Sequence, residues 1–84
     1  MSKPDELLEV YQFEQCPYCS KVRKQLTEMQ IDFIARQVEP NGDREKPEEL
    51  TGETQVPVLV DPDNDTVMNE SDDIIQYLEE TYGE

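Results

Sequence analysis

Both cysteines of this 84-residue sequence lie in the stretch Glu14-Gln15-Cys16-Pro17-Tyr18-Cys19-Ser20. The residues before it are apolar and rich in strand formers, and those after it have the apolar spacing of a helix. A disulfide between Cys16 and Cys19 would close too short a ring to restrain the unfolded chain much. We therefore expect this pair to serve chemistry rather than stability.

The position of Pro17 predicts that a helix begins directly after Cys16. A proline costs little at the first helical position, because the first N–H groups of a helix have no internal partner. The Cys16 sulfur would then lie at a helix N-terminus, which favours the nucleophilic thiolate. Cys19, one turn further on, would be placed to attack a mixed disulfide formed at Cys16. Three basic residues extend the positive charge along the same helix: Lys21, Arg23 and Lys24.

Two other interpretations of the cysteine pair are a metal site and a pair of inert core thiols. Structural zinc normally takes four Cys or His ligands, whereas this chain has two cysteines and no histidine. A zinc site within one chain is therefore disfavoured. A C-x-x-C sequence beside a βαβ pattern is typical of a redox site, which favours reactive over inert thiols.

A second candidate metal site is the acidic stretch that includes Asp61, Asp63 and Asp65. The spacing of these aspartates is that of the first ligands of an EF-hand loop. Thr66 and Asp72, however, stand where the loop needs glycine and a bidentate glutamate. A polar turn is favoured over calcium binding, and we expect no metal in this protein.

The charge of the chain is strongly negative, with 21 acidic and 7 basic residues and a net charge of −14. This disfavours nucleic acids and anionic membranes as partners. The apolar residues recur with clear periods, which disordered acidic segments lack. At about 1 M ionic strength the Debye length falls to about 3 Å, so that repulsion between carboxylates is screened. The composition therefore favours a halophilic protein.

The cellular location is predicted from what the sequence lacks. No run approaches the roughly 20 apolar residues of a membrane-spanning helix, and the first residues have no apolar stretch of a secretory signal. We therefore expect a cytoplasmic protein. In that compartment a C-x-x-C pair more often cycles between dithiol and disulfide than stays oxidised.

The apolar periodicity predicts one α/β domain over residues 1–84, with the order βαβ, a short connection and ββα. The predicted strands cover residues 7–13, 31–38, 56–60 and 66–68, and the first two should be parallel. Predicted helices cover residues 17–29, a short segment from 47 to 52, and a closing helix from Ser71, its N-cap, to Gly83. The apolar spacing predicts one buried face on the first helix and one on the last, formed by Val22, Leu26 and Met29 and by Ile74, Ile75, Leu78 and Tyr82. Turns are predicted over residues 40–44 and 61–65.

This order of elements, with C-x-x-C at the first strand-to-helix junction, resembles the thioredoxin fold in its minimal glutaredoxin form. Cys16-Pro17-Tyr18-Cys19 is identical to the active-site sequence of dithiol glutaredoxins. Residues 54–59 resemble the T-x-V-P segment of that family. Residues 70–78 resemble the closing helix of glutaredoxins and of glutathione S-transferase N-terminal domains. The resemblance implies a four-stranded mixed sheet in the order 2-1-3-4, flanked by helices.

The resemblance also implies a binding site for a glutathione-like thiol. The Val56-Pro57 bond would be cis beside the reactive sulfur, and the Val56 main chain would pair with the cysteinyl part of the thiol. Ser71 and Asp72 would hold its γ-glutamyl carboxylate through helix N–H groups, and Tyr18 would flank it. Simpler roles stay open: helix capping for Ser71 and Asp72, packing for Tyr18, and a strand-initial proline for Pro57.

Two features depart from the glutaredoxin pattern. Phe13 stands where many glutaredoxins carry a lysine for the glycyl carboxylate of glutathione, and Glu70-Ser71 replaces the usual glycine pair. The co-substrate is therefore expected to be glutathione or γ-glutamylcysteine. The sequence ends just past Gly83, without the helical second domain of transferases, so transferase activity is not expected.

The function implied is that of a glutaredoxin-type thiol–disulfide oxidoreductase. Cys16 would attack a protein disulfide or mixed disulfide, Cys19 would resolve it, and a low-molecular-weight thiol or a reductase would restore the dithiol. We expect a monomer with no permanently bound cofactor, whose partners are disulfide-containing proteins. Three alternatives remain: an electron donor to ribonucleotide reductase, an iron–sulfur carrier dimer and a non-catalytic thiol-binding module. The absence of tryptophan argues against the first, and the presence of Cys19 against the second.

Overall fold

The computed structural model describes residues 4–38, 45–52 and 55–83. Its strands are β1 (Leu8–Gln12), β2 (Phe33–Gln37), β3 (Val58–Asp61) and β4 (Thr66–Asn69). Its helices are α1 (Pro17–Glu28), α2 (Glu45–Thr51) and α3 (Ser71–Tyr82), and a 3-10 turn, Pro62–Asn64, joins β3 to β4. None of the described helices is long and apolar enough to cross a membrane.

The four strands form one mixed sheet in the order β2-β1-β3-β4, which confirms the predicted order. β1 and β2 are parallel, with Val10 opposite Ala35, and α1 is the crossover between them. β3 runs antiparallel to β1, with Leu59 opposite Val10, and β4 completes an antiparallel hairpin with β3. The chain therefore has the thioredoxin-like architecture that its sequence implied.

The main core lies between the sheet and the helices α1 and α3, which pack against each other. Its buried side chains come from all of these elements: Leu8, Val10, Leu59, Val22, Leu26, Ile31, Ile74, Leu78 and Tyr82. The helical faces predicted from spacing are confirmed, although Met29 and Ile75 are only partly buried. Because each fully buried aliphatic side chain contributes about 1.5–3 kcal/mol, this cluster is the main source of stability.

The first two strands are shorter than predicted. The chain leaves the sheet after Gln12, because the Phe13 carbonyl accepts a hydrogen bond from the Cys16 N–H (3.2 Å) within the turn into α1. β2 begins at Phe33 rather than Ile31. The Ile31 N–H donates to the Leu26 carbonyl (2.9 Å), and Gln30 is left-handed (φ 56°), so these residues close the C-terminus of α1.

Three predicted element starts are also corrected. Val56 and Pro57 precede β3, and α2 begins at Glu45, two residues before the proline predicted to start it. Ser71 is the first residue of α3 and not its N-cap. The cap is Glu70, which has φ 72° and makes no side-chain capping hydrogen bond. The predicted turn over residues 40–44 lies outside the described residues.

The polar turn predicted after β3 is confirmed, and Asp61 organises it. This carboxylate is fully buried, and its Oδ1 accepts the Asp63 N–H (3.1 Å). Its Oδ2 accepts hydrogen bonds from the hydroxyl groups of Tyr77 and Tyr82 on α3, both at 2.5 Å. Asp61 thus ties the hairpin to the closing helix.

Candidate active site

Cys16 lies at the junction of β1 and α1, as predicted. It is the N-cap of α1, in an extended backbone conformation (φ −72°, ψ 117°), and Pro17 occupies the first helical turn. Its sulfur accepts a hydrogen bond from the main-chain N–H of Cys19 at 3.4 Å. A sulfur in this position faces the unpaired N–H groups and the positive end of the helix, which favour negative charge.

The two thiols are free and differ in their surroundings. Cys16 is 5% exposed and Cys19 is completely buried, so Cys19 is the less accessible of the two. Burial, and then hydrogen bonding with Cys16, raises the pKa of Cys19 to about 12. Cys19 is therefore a neutral thiol near pH 7, next to a sulfur held at the helix end.

The dithiol lies in a small apolar cluster separate from the main core. Val56 is buried against both cysteines, and Tyr11, Phe13 and Val38 pack around them. The Val56-Pro57 peptide bond is cis, as the resemblance implied, and Pro57 is fully buried. Phe13, in the place where many glutaredoxins carry lysine, contributes an apolar wall to this cluster rather than a positive charge.

Beside this cluster is a groove of about 250 Å³. Its lining includes four of the predicted site residues and two others: Tyr18, Pro57, Ser71, Asp72, Gln55 and Glu70. The groove is slightly smaller than the about 300–1,000 Å³ that is common for ligand pockets, so its size suits only a small molecule. The structure therefore brings the predicted residues into two adjoining places: the groove, and the apolar cluster of Cys16, Cys19 and Val56.

The N-terminus of α3 forms one side of the groove. The first hydrogen bond within this helix runs from the Ile74 N–H to the Glu70 carbonyl (2.9 Å). The preceding N–H groups, those of Ser71, Asp72 and Asp73, therefore have no partner inside the helix. Together with the positive end of the helix, such groups favour a bound carboxylate.

The Asp72 side chain has a different environment from its N–H group. Its Oδ1 lies 2.8 Å from Nζ of Lys21, and the two side chains are 84% and 49% exposed. This ion pair links α3 to α1 beside the groove. Tyr18, on the same rim, is 60% exposed, so the structure does not support a packing role for it.

Sequence reasoning gave no binding role to Gln55 or Glu70, although both line the groove. The signal available was their position, since Gln55 precedes Val56-Pro57 and Glu70 precedes Ser71. A larger, shallow depression of about 570 Å³ lies at the far end of α1, around Gln30 and Asp32. None of the predicted site residues lines this depression, whereas four of them line the smaller groove, so the smaller groove is the candidate site.

Residues 10–84 match the model of the family described as "Glutathione S-transferase, N-terminal domain". Among curated proteins, Glutaredoxin 2 of Escherichia coli (strain K12) is 34% identical over 76 residues, which are 90% of this chain and 34% of that protein. The chain thus spans about one third of the length of the curated relatives it matches.

Solved structures of glutathione S-transferases also match this chain. A glutathione S-transferase from the Antarctic clam Laternula elliptica has a TM-score of 0.77 and 34% identity, over 92% of this chain and 36% of that one. One from Methylobacterium radiotolerans, in complex with glutathione sulfonate, has a TM-score of 0.81 and 25% identity, over 92% and 36%. From its family match and sheet order, the chain belongs to the glutathione S-transferase N-terminal domain family, with the thioredoxin-like fold of glutaredoxins.

Proposed function

We propose that this chain is a glutaredoxin-type thiol–disulfide oxidoreductase acting through Cys16 and Cys19. The observation that carries the proposal is the Cys16 sulfur at the N-cap of α1, accepting the Cys19 N–H beside cis Val56-Pro57. Backbone donors and the helix end favour the thiolate there, and the thiolate is the nucleophile. The neutral, buried Cys19 leaves Cys16 as the attacking sulfur.

The exchange proceeds in two steps. Cys16 thiolate attacks one sulfur of a disulfide, forms a mixed disulfide and releases the other sulfur as a thiolate. Cys19 then loses its proton to the departing thiol, bonds to the Cys16 sulfur and displaces the substrate. The substrate disulfide gains two electrons, and the protein is left with a Cys16–Cys19 disulfide.

The electron source in this proposal is glutathione or the related γ-glutamylcysteine. The groove offers main-chain groups next to Pro57 and the free N–H groups of Ser71 and Asp72 for the γ-glutamyl carboxylate. The Methylobacterium neighbour was solved with glutathione sulfonate, which supports a ligand of this class. Phe13 supplies no charge for a glycyl carboxylate. Glutathione and γ-glutamylcysteine should therefore support reduction at similar rates.

The test is reduction of a mixed disulfide in dilute buffer and at about 1 M salt. Glutathione, γ-glutamylcysteine and thioredoxin reductase are supplied separately as electron sources. We expect turnover with either small thiol, at least a hundredfold loss in Cys16→Ser, and retained reduction of glutathionylated substrates in Cys19→Ser. Lys24→Gln, an exposed change on the same helix, is the control. Equal rates with and without Cys16 would refute the proposal.

A second candidate is a non-catalytic module that binds small thiols. The observation in its favour is the low exposure of Cys16, 5%, since a substrate disulfide must reach that sulfur. This function predicts that glutathione binds Cys16→Ser as it binds the parent, and that neither protein turns over. Calorimetric binding alongside the reduction assay separates the two functions.

We further propose that the protein is a cytoplasmic monomer that works in concentrated salt. The support is its net charge of −14, because screening relieves repulsion among so many carboxylates. Unfolding followed against potassium chloride concentration should show stability rising with salt. Light scattering should give the mass of one chain, 9.8 kDa. Lower stability in salt would refute the halophilic part.

A further inference from the structure

Arg23 is tied to the segment that carries Cys16 into position. It lies on α1, and its guanidinium reaches back toward the start of the helix. Nη1 donates to Oε1 of Gln12, and Nη2 donates to the Glu14 carbonyl at 3.2 Å. Gln12 is 3% exposed and is held in turn by a 2.8 Å hydrogen bond from its Nε2 to Oε1 of Gln37. Arg23 is thereby fixed at the ends of β1 and β2, beside the chain that leads to the dithiol.

The charge of Arg23 has no carboxylate partner among the described residues. The described ion pairs join Lys21 to Asp72 and Arg36 to Glu9, whereas the acceptors of Arg23 are a neutral amide and a neutral carbonyl. This is unusual in a chain with 21 acidic residues. The Arg23 charge is therefore not neutralised by a described carboxylate, and it is available to an anion that forms during function.

Cys19 is the group nearest to Arg23 in sequence that can become anionic, and Cys16 accepts the Cys19 N–H. Arg23 stands four residues after Cys19 on α1, and residues at this spacing share a helix face, with Cβ atoms about 5–6 Å apart. Its charge also acts against the burial that raises the pKa of Cys19. The fixed guanidinium and the dithiol are therefore coupled electrostatically.

We propose that Arg23 is the counter-charge of the Cys16–Cys19 pair, a positioning residue held by Gln12 and the Glu14 carbonyl. It stabilises the thiolate that attacks and the one that forms when Cys19 resolves the mixed disulfide. The role in exchange rests on the proposed function. The electrostatic effect itself belongs to the free dithiol and needs no disulfide substrate, so it can be measured separately.

The experiment measures alkylation of the reduced protein by iodoacetamide at pH 7, with mass spectrometry to identify the modified cysteine. Arg23→Gln removes the charge, and Lys24→Gln is the matched control with the same charge change on the same helix. We expect Arg23→Gln to slow alkylation of Cys16 about tenfold and Lys24→Gln less than twofold. The dithiol–disulfide equilibrium against dithiothreitol should move about fivefold toward the disulfide in Arg23→Gln, and hardly at all in Lys24→Gln.

Two further variants separate charge from structure. Arg23→Lys keeps the charge and should retain at least half of the parental rate. Gln12→Glu keeps the arginine but gives it a carboxylate partner, so it should slow alkylation as Arg23→Gln does. If circular dichroism shows that Arg23→Gln is unfolded, Gln12→Glu still tests whether the Arg23 charge acts on the dithiol. The proposal is overturned if Gln12→Glu reacts at the parental rate, if Arg23→Gln matches Lys24→Gln, or if Arg23→Lys is as slow as Arg23→Gln.

Discussion

The main-chain N–H of Cys19 donates to the sulfur of Cys16 over 3.4 Å, so that Cys16 caps the helix whose first turn contains Cys19. N-cap positions usually hold Ser, Thr, Asp or Asn, whose oxygen accepts this bond. When the acceptor is a sulfur, the bond becomes charge-assisted on ionisation and strengthens. The start of α1 therefore gives the two thiols unequal surroundings.

Selective modification is the first prediction. In the folded, reduced protein, iodoacetamide at pH 7 should alkylate Cys16 and leave Cys19 unmodified, because Cys19 is completely buried and its pKa is about 12. In denaturant both should react. Intact-mass and peptide mass spectrometry check this. Equal rates for the two thiols in the folded protein would contradict it.

The second prediction concerns alkaline stability. The fold raises the pKa of Cys19 from 9.0 to about 12. Between these values the folded state binds more protons than the unfolded state, so the free energy of unfolding falls as pH rises, by on the order of 1 kcal/mol per pH unit. Urea unfolding of the reduced protein from pH 8 to 11 should show this slope.

The control for the alkaline slope is Cys19→Ala, which has no thiol at this position. Its absolute stability should be lower, but the part of the slope due to Cys19 should vanish. Tyr77 and Tyr82 also have raised pKa values from burial and hydrogen bonds to Asp61, and their contribution is the same in both proteins. Identical slopes would mean that Cys19 titrates as it does in the unfolded chain.

Acid sensitivity is the third prediction, and it centres on Asp61. Burial alone would raise the pKa of this carboxyl, but hydrogen bonds from Tyr77, Tyr82 and Asn64 outweigh it, and the pKa lies below 3.8. A depressed pKa contributes stability above the unfolded value, and this stability is lost as pH falls through the folded one. Asp61→Asn should cost about 1–3 kcal/mol at pH 7 and less near pH 3.

Asp65→Asn is the matched control for Asp61→Asn. Asp65 lies in the same turn, is exposed and has a left-handed backbone (φ 51°), which asparagine tolerates. The change removes the same charge without a buried network, so unfolding should shift by less than about 0.5 kcal/mol. Equal effects of the two substitutions in urea unfolding would show that net charge, and not the tyrosine contacts, is responsible.

The fourth prediction concerns the Lys21–Asp72 ion pair beside the groove. Because both side chains are largely exposed, Lys21→Gln should change stability by less than about 1 kcal/mol. It should, however, leave the Asp72 charge unbalanced at the N-terminus of α3. We expect glutathione to bind Cys16→Ser/Lys21→Gln several-fold more weakly than Cys16→Ser in dilute buffer.

At about 1 M salt the difference caused by Lys21→Gln should nearly disappear, because exposed charges are then screened. Adding Lys24→Gln to Cys16→Ser instead provides the control for the loss of one positive charge elsewhere on α1. Isothermal calorimetry measures each affinity. If Lys21→Gln and Lys24→Gln weaken binding equally, the ion pair has no special role at the groove.

Local sequence signals were sufficient for much of the fold. The faces of α1 and α3 followed from the spacing of Val22, Leu26, Ile74 and Leu78, because helix periodicity sets which side chains share a face. The start of α1 followed from Pro17. Element ends were predicted less well: Ile31 belongs to the helix terminus and Ser71 is not the cap. These ends depend on hydrogen bonds across turns, which apolar spacing does not reveal.

For the site, the sequence by itself determined the dithiol and its place at a strand-to-helix junction, since these depend on contiguous residues. The sheet order came from the resemblance to glutaredoxins. Only the tertiary structure decided that Arg23 bonds to Gln12 and the Glu14 carbonyl, and that Asp72 pairs with Lys21. It also placed Gln55 and Glu70 in the groove. The physical reason is that the partner of a long polar side chain is one of the groups that folding brings close to it. Residues 21 and 72 become neighbours only when α1 and α3 have packed.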